Sequence, residues 1–265
     1  MTEGHATVSA VCQRVELFGL PGVPEVAEGD DIAALAVLAL AAAGLQPLVR
    51  DILVVTQKIV SKAEGRLRSL ADTAVDERAH ELAGEVRKDP RLVALILSET
   101  AQVLRTRPDT LIVEDRRGLV LANAGIDASN VPGADAGEQV LLLPEDPDHS
   151  AAAIRGGIAR ATGVELGVVL IDSIGRAWRN GTVGTAIGAS GMPALMDLRG
   201  QPDRHGRPLL TTQVGFADEV AAAASLVMGQ AGEGIPMVLV RGLQWPDASG
   251  SAADLQRNRA MDLFR

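Results

Sequence analysis

The chain must build its core almost without aromatic rings: 265 residues include three Phe, two Trp and no Tyr, yet 47% are apolar. Aromatic side chains bury the largest surfaces, so their scarcity leaves the core to Ala, Val, Leu and Ile. The same scarcity argues against recognition of single-stranded nucleic acid, which relies on aromatic stacking platforms. The length suits one large domain or two small ones. Charged residues make up 22%, too few and too mixed in sign for a disordered chain.

A net charge of −9 is a poor basis for binding duplex phosphates. Small anionic ligands remain open, because local basic groups or a metal override the global field. The single cysteine, Cys12, reads as a strand residue and permits no disulfide within the chain, which fits a reducing compartment. The first ten residues lack the basic start and apolar stretch of a secretory signal. The longest apolar run, residues 32–45, is short for a membrane span. Asp30 and Asp31 precede it and Gly44 lies near its end, so it reads as a buried, capped helix. The expectation is a cytoplasmic protein with neither a membrane nor a nucleic-acid partner.

Strands are expected at residues 11–18, 51–56, 140–143, 167–171, 209–214 and 237–240. Helices are expected at 75–87, 90–99, 150–162 and 217–228. Residues 20–30 read as a loop and 59–66 as a turn or second strand edge. Residues 110–114 and 119–122 flank a hairpin turn. Residues 181–191, with a Gly every few positions, read as a tightly packed strand or loop close to a ligand. The tail after Trp245 reads as polar to Asp254, then short and helical. The order lacks the regular alternation of a doubly wound fold, which gives an α+β class with mixed sheets.

Several familiar signatures are missing. There is no G-x-x-x-x-G-K-[ST], no G-x-G-x-x-G and no G-x-S-x-G, and the four His have no metal-ligand spacing. Four polar clusters remain. Asn123-Ala124-Gly125-Ile126-Asp127-Ala128-Ser129-Asn130 follows an apolar strand and reads either as an Asx-rich turn or as a source of oxygen ligands for a hard cation. Asp172-Ser173-Ile174-Gly175-Arg176 follows a buried strand. It is either a strand-end turn or a way of holding Mg²⁺ beside phosphates, with Arg176 and Arg179 as phosphate or carboxylate binders. In Met228-Gly229-Gln230-Ala231-Gly232-Glu233-Gly234-Ile235, three glycines follow a helix. A plain helix stop explains one glycine; an anion-binding backbone wrap explains three. In Ser61-Lys62-Ala63-Glu64-Gly65-Arg66, Lys62 is either solvated or the partner of a phosphate.

Taken together, these clusters resemble the coenzyme F-420:L-glutamate ligases, also called coenzyme F-420-0:γ-glutamyl ligases. The motifs that carry the likeness are Gly29-Asp30-Asp31, VSKAEGR ending at Arg66, NAGIDASN, LLLPEDPDHSA from Leu141, the Asp172 to Gly181 segment, Ala217-Asp218-Glu219, MGQAGEGIPMVLVRGL from Met228, and the terminal Asp262-Leu263-Phe264-Arg265. They run in order along most of the chain, and VSKAEGR and NAGIDASN are the most specific.

The resemblance implies a γ-glutamyl-ligase type fold of two intertwined subdomains. It implies a ligase domain over residues 1–245 with a tail over 246–265, and a homodimer. The implied reaction joins L-glutamate to a deazaflavin precursor with GTP and Mg²⁺ or Mn²⁺, two ions, with K⁺ as a further cation. An acyl phosphate is the intermediate, further γ-linked additions follow, and GDP and phosphate are released. Asp127, Asp172, Ser173 and Gln230 match metal-binding positions, with Ser173 where Thr is frequent and Gln230 where some members have Glu. Val23-Pro24-Glu25-Val26, Gln57, Lys62, Asn130 and the Met228 to Ile235 wrap match nucleotide-binding positions, with Gln57 where a small hydroxyl residue is common. Arg176 and Arg179 are candidates for holding the precursor's phosphodiester or the transferring phosphoryl group. Two alternatives remain: a nucleotide-binding module without catalysis, against which the intact Asp127 and Asp172 argue, and a ligase for another small carboxylic acid.

Overall fold

The structure is a computed structural model that describes residues 13–128 and 138–263. It is a mixed α+β molecule built on a five-stranded sheet of order β1-β12-β2-β8-β9. The strands are β1 (Glu16–Leu20), β2 (Ile52–Thr56), β8 (Gly167–Arg176), β9 (Arg179–Ser190) and β12 (Met237–Arg241). Only β2 and β8 run parallel; every other pairing in this sheet is antiparallel. Strand alternation divides the side chains between two layers. Leu53, Val55, Val168, Leu170, Met237 and Leu239 face α1 (Ile32–Ala42) and α5 (Pro147–Thr162). Ile52, Val54, Val169, Ile171, Val238 and Val240 face α6 (Phe216–Met228). Both faces are covered, which is why these strands read as unbroken apolar runs.

The lack of large rings is met by close approach. A Cβ on Gly157 of α5 would lie 2.4 Å from the Cβ of Ala33 on α1, and one on Gly184 of β9 would lie 2.5 Å from the Ala221 carbonyl of α6. Glycine at these contacts lets helix meet helix and helix meet sheet with no side chain between them. Asp31 caps α1 by accepting from the amides of Ala33 and Ala34, and Gly44 turns the chain away with φ +69°.

A second cluster is formed by α3 (Glu77–Val86), α4 (Pro90–Ser98) and the antiparallel sheet β4 (Thr100–Arg107), β5 (Thr110–Asp115) and β6 (Val120–Ala122). Its chain leaves and returns through a ribbon in which β3 (Leu67–Ser69) pairs with β7 (Gln139–Leu141). Arg66 and Arg117 tie it to the rest. Arg66 donates to Glu99 at 3.0 Å, Glu145 at 2.8 Å and the Leu143 carbonyl at 2.9 Å; Arg117 donates to Asp115 at 2.8 Å and Glu99 at 3.3 Å. The two-stranded sheet β10 (Met196–Asp197) and β11 (Gln213–Val214) completes the strands.

The tail folds back on the body. Asp148 of α5 accepts from the amides of Ala189 on β9 (2.8 Å) and Ala252 in the tail (2.7 Å), so one carboxylate joins three segments. Arg50 meets Asp247 at 2.5 Å. Among the described residues no helix is long and apolar enough to cross a membrane.

Several expected elements are corrected. Residues 59–66 belong mostly to a helix, α2 (Gln57–Ala63), not to a turn or strand edge; burial of Ile59, Val60 and Ser61 overrides the strand preference of the β-branched pair. The first strand starts later than expected, at Glu16, and Cys12 lies outside the described residues. Strand β8 does not stop at Ile171. Beyond that residue it leaves β2 and continues, paired with β9 alone, as a two-stranded arm to Arg176. Of residues 209–214 only Gln213 and Val214 are strand. Strand β4 was not anticipated: its register shifts twice, which breaks the alternation that marks a strand.

Candidate active site

In open α/β sheets ligands gather outside the carboxyl ends of parallel strands. Here β2 and β8 are the parallel pair, and a cavity of about 530 Å³ opens beyond Thr56 and Ile171. Four segments wall it: Val23 to Val26 after β1, the first turns of α2, Leu121 to Asp127 after β5, and Met228 to Pro236 after α6. The arm of β8 from Ile171 to Gly175 supplies the remaining wall.

Asp127 is presented by an unusual turn. Asn123, Ala124 and Gly125 all have positive φ (53°, 53° and 71°). Asn and Gly tolerate this region, whereas a buried Ala there is strained, a feature that gathers at functional sites. The turn throws Ile126 and Asp127 back toward β7, where the Asp127 amide donates to the Leu141 carbonyl (3.0 Å) and its carbonyl accepts from the Leu141 amide (2.8 Å). The backbone is pinned and the side chain faces the cavity. Lys58 of α2 donates to its Oδ2.

Asp172 reaches the same cavity from β8. Burial pushes its pKa above the ordinary carboxylate value, and the charge of Asp127 pushes the same way. The Ser173 amide, the Lys58 charge and the Gln57 side chain oppose the rise. Gln57 itself is fully buried; its Oε1 accepts from Ser61 Oγ at 2.8 Å, and its Nε2 has no hydrogen-bond partner of good geometry among the described residues, although the amide lies near enough to Asp172 to favour the charged form.

The wrap after α6 opens at Gly229, with φ +73°, where a Cβ would lie 2.1 Å from the Glu233 carboxyl carbon. Glu233 folds over the wrap and accepts from the Ala231 amide at 2.8 Å, and these backbone donors lower its pKa. An anion is thus already bound by the wrap, and it is the protein's own. Across the cavity Lys62 pairs with Glu25 at 2.5 Å.

The structure therefore brings Val23, Pro24, Glu25, Val26, Lys62, Asp127, Asp172, Ser173 and Met228 to Ile235, Gln230 included, to one cavity. Gln57 lies beneath it rather than in its wall. Asn130 lies outside the described residues. Arg176 and Arg179 do not line the cavity. They flank the turn at the exposed end of the arm, where Trp178 is 90% exposed, and among the described residues neither is in an ion pair. Motif reading passed over Lys58, because residues 59–66 were not recognised as the continuation of a helix. On a helix, Lys58 and Lys62 stand four residues apart on one face.

The donor set suits a hard cation: two carboxylates, the Ser173 hydroxyl and the Gln230 amide, all oxygen. No cluster of three or more His, Cys, Asp or Glu that could hold a metal occurs among the described residues. Two carboxylates are too few for a closed protein cage and match a cation that takes the rest of its shell from phosphate oxygens and water.

A family model described as F420-0:Gamma-glutamyl ligase matches residues 22–242. Proteins named Coenzyme F420:L-glutamate ligase are similar along nearly the whole chain. That of Methanothermobacter thermautotrophicus is 45% identical over 253 residues, covering 95% of this chain and 99% of its own. That of Methanopyrus kandleri is 43% identical, covering 91% and 94%, and that of Archaeoglobus fulgidus 42%, covering 95% and 97%. Similarity of this extent leaves one conclusion: the chain belongs to the F420-0:gamma-glutamyl ligase family, a family of ligases.

Proposed function

We propose that this protein joins L-glutamate to a deazaflavin precursor of coenzyme F420 in an amide bond, using GTP with Mg²⁺ or Mn²⁺, and then adds further γ-linked glutamates. The observation that carries the reading is the meeting of Asp127 and Asp172 in one cavity with a three-glycine wrap. The relatives' names supply the acyl donor and the amine. We read the second cluster, inserted between β3 and β7, as one of two interleaved subdomains, and the working form as a cytoplasmic homodimer.

The chemistry has to overcome the poor reactivity of a carboxylate. Its resonance and charge repel an amine, and its oxygen is a poor leaving group. Phosphorylation by the terminal phosphate of GTP gives an acyl phosphate, with GDP departing. The glutamate amine then attacks the carbonyl carbon, and phosphate leaves. A bound divalent cation would supply charge neutralisation on the triphosphate. Asp127, Asp172, Ser173 and Gln230 would hold it. The wrap's backbone amides, once Glu233 turns away, would accept phosphate oxygens. Lys62 would turn from Glu25 to the nucleotide. Val23 to Val26 would border the nucleotide, and Gln57 would brace Asp172 from below. Arg176 and Arg179, on an arm that carries the cavity wall outward from Asp172, would take the precursor's phosphodiester. Extended backbone rises about 3.3 Å per residue, so Arg176, four residues on and paired with Arg179, stands roughly 13 Å from Asp172. That separation fits the phosphodiester of a long substrate better than the phosphoryl group in transfer.

Purified protein supplied with GTP, Mn²⁺, L-glutamate and the precursor should yield product heavier by one glutamyl residue, with one GDP per amide formed. No mass increase and no GDP would refute the reading.

A further inference from the structure

The carboxylate pair carries a cation of its own. Lys58 is the second residue of α2, and its ammonium donates to Asp127 while its charge also favours the ionised form of Asp172. The ion pair is partly sheltered, with side-chain exposures of 24% for Lys58 and 30% for Asp127. An ammonium seated on Asp127, with its charge also felt by Asp172, competes for the carboxylate that a divalent cation would need. One helical turn further along α2, Lys62 faces the same cavity.

We infer that Lys58 is a resident counter-ion: it holds Asp127 beside Asp172 when no metal is bound, must leave Asp127 when a divalent cation arrives, and then joins Lys62 in contacting the anionic ligand. The inference rests on the metal–nucleotide reading given above. It makes metal binding and nucleotide binding help one another, because the metal frees a lysine that the phosphates can use, and the phosphates reward its release. The effect of Lys58 is visible without catalysis.

The test is Mn²⁺ binding, followed by electron paramagnetic resonance, in the wild type, Lys58→Met and Lys58→Gln, each with and without GDP. Without GDP, both variants should bind Mn²⁺ about tenfold more tightly than the wild type, since the competing cation is gone. The enhancement of Mn²⁺ affinity by GDP should shrink by a similar factor. Circular dichroism shows which variants fold, and either one suffices. Unchanged or weaker Mn²⁺ binding in a folded variant overturns the inference while leaving the ligase reading intact. A wild type that binds no Mn²⁺, even with GDP, overturns both.

Discussion

Two charge clusters, one reached from Lys58 at the start of α2 and one from Arg66 just past its end, are built to opposite plans. Beside the inserted cluster, Glu99 is shared by two guanidinium groups, and the fully buried carboxylate of Asp115 accepts from Arg117 Nε and from the amides of Arg117 and Leu119. Every carboxylate there has fixed donors. In the cavity Lys58 donates to Asp127, and the pKa of Asp172 is pushed up by burial and by the charge of Asp127. Lys62 and Glu25 pair across the opening, and Glu233 occupies its own backbone wrap. The closed cluster holds the molecule together. The open one is neutralised by partly exposed pairs, as the proposed cation and phosphate site would need.

The sharpest way to break this contrast is to neutralise each kind of carboxylate in turn. Asp127→Asn or Asp172→Asn should lower kcat/KM by about a thousandfold or more while circular dichroism stays unchanged, because the cation that offsets triphosphate charge is lost. Arg66→Met should do the reverse. It removes one of the two guanidinium partners of Glu99 and the donor to the buried Leu143 carbonyl, and should cost about 1–3 kcal/mol in urea unfolding. If Arg66→Met left stability untouched, the closed cluster would not be structural.

A smaller effect separates the two clusters by sign. Asp172 has a folded-state pKa above its unfolded value, so its ionisation opposes folding. That penalty is absent below the unfolded pKa and grows as pH rises from there through the folded pKa. Asp172→Asn should therefore raise the Tm of the metal-free protein at neutral pH above that of the wild type. The gain should vanish in acid. A lower Tm at neutral pH would contradict the account of the open cluster. Smallest of all, Arg176→Ala and Arg179→Ala should each raise KM for the precursor by about fivefold, as expected for an exposed charge-assisted contact. Tm and KM for GTP should not move.

Sequence patterning revealed the parts of the fold that depend on local rules. The runs that became β2, β8 and β12 are apolar because both faces are covered, and α1 is marked by Asp31 and Gly44. Features that depend on tertiary context were hidden. Helix α2 contains a β-branched pair and became a helix because burial decided it, and with it went the one clue to Lys58. Strand β4 is too irregular to recognise. The arm formed by Asp172 to Arg176 lacks a strand signature because it has no neighbour but β9. The cavity's motifs were legible because Gly, Asn and Asp are demanded by backbone conformation and charge. The pairing of Lys58 with Asp127 spans 69 residues of sequence and could be seen only in the folded chain.

If the open carboxylate pair is the proposed ligase centre, both products depend on Asp172. The most direct test measures GDP and glutamyl product together in the wild type and in Asp172→Asn, with the variant's Tm determined alongside. The account predicts equal amounts of both products from the wild type, neither from the variant, and a variant that is at least as stable. A folded Asp172→Asn protein that forms product at the wild-type rate would contradict it.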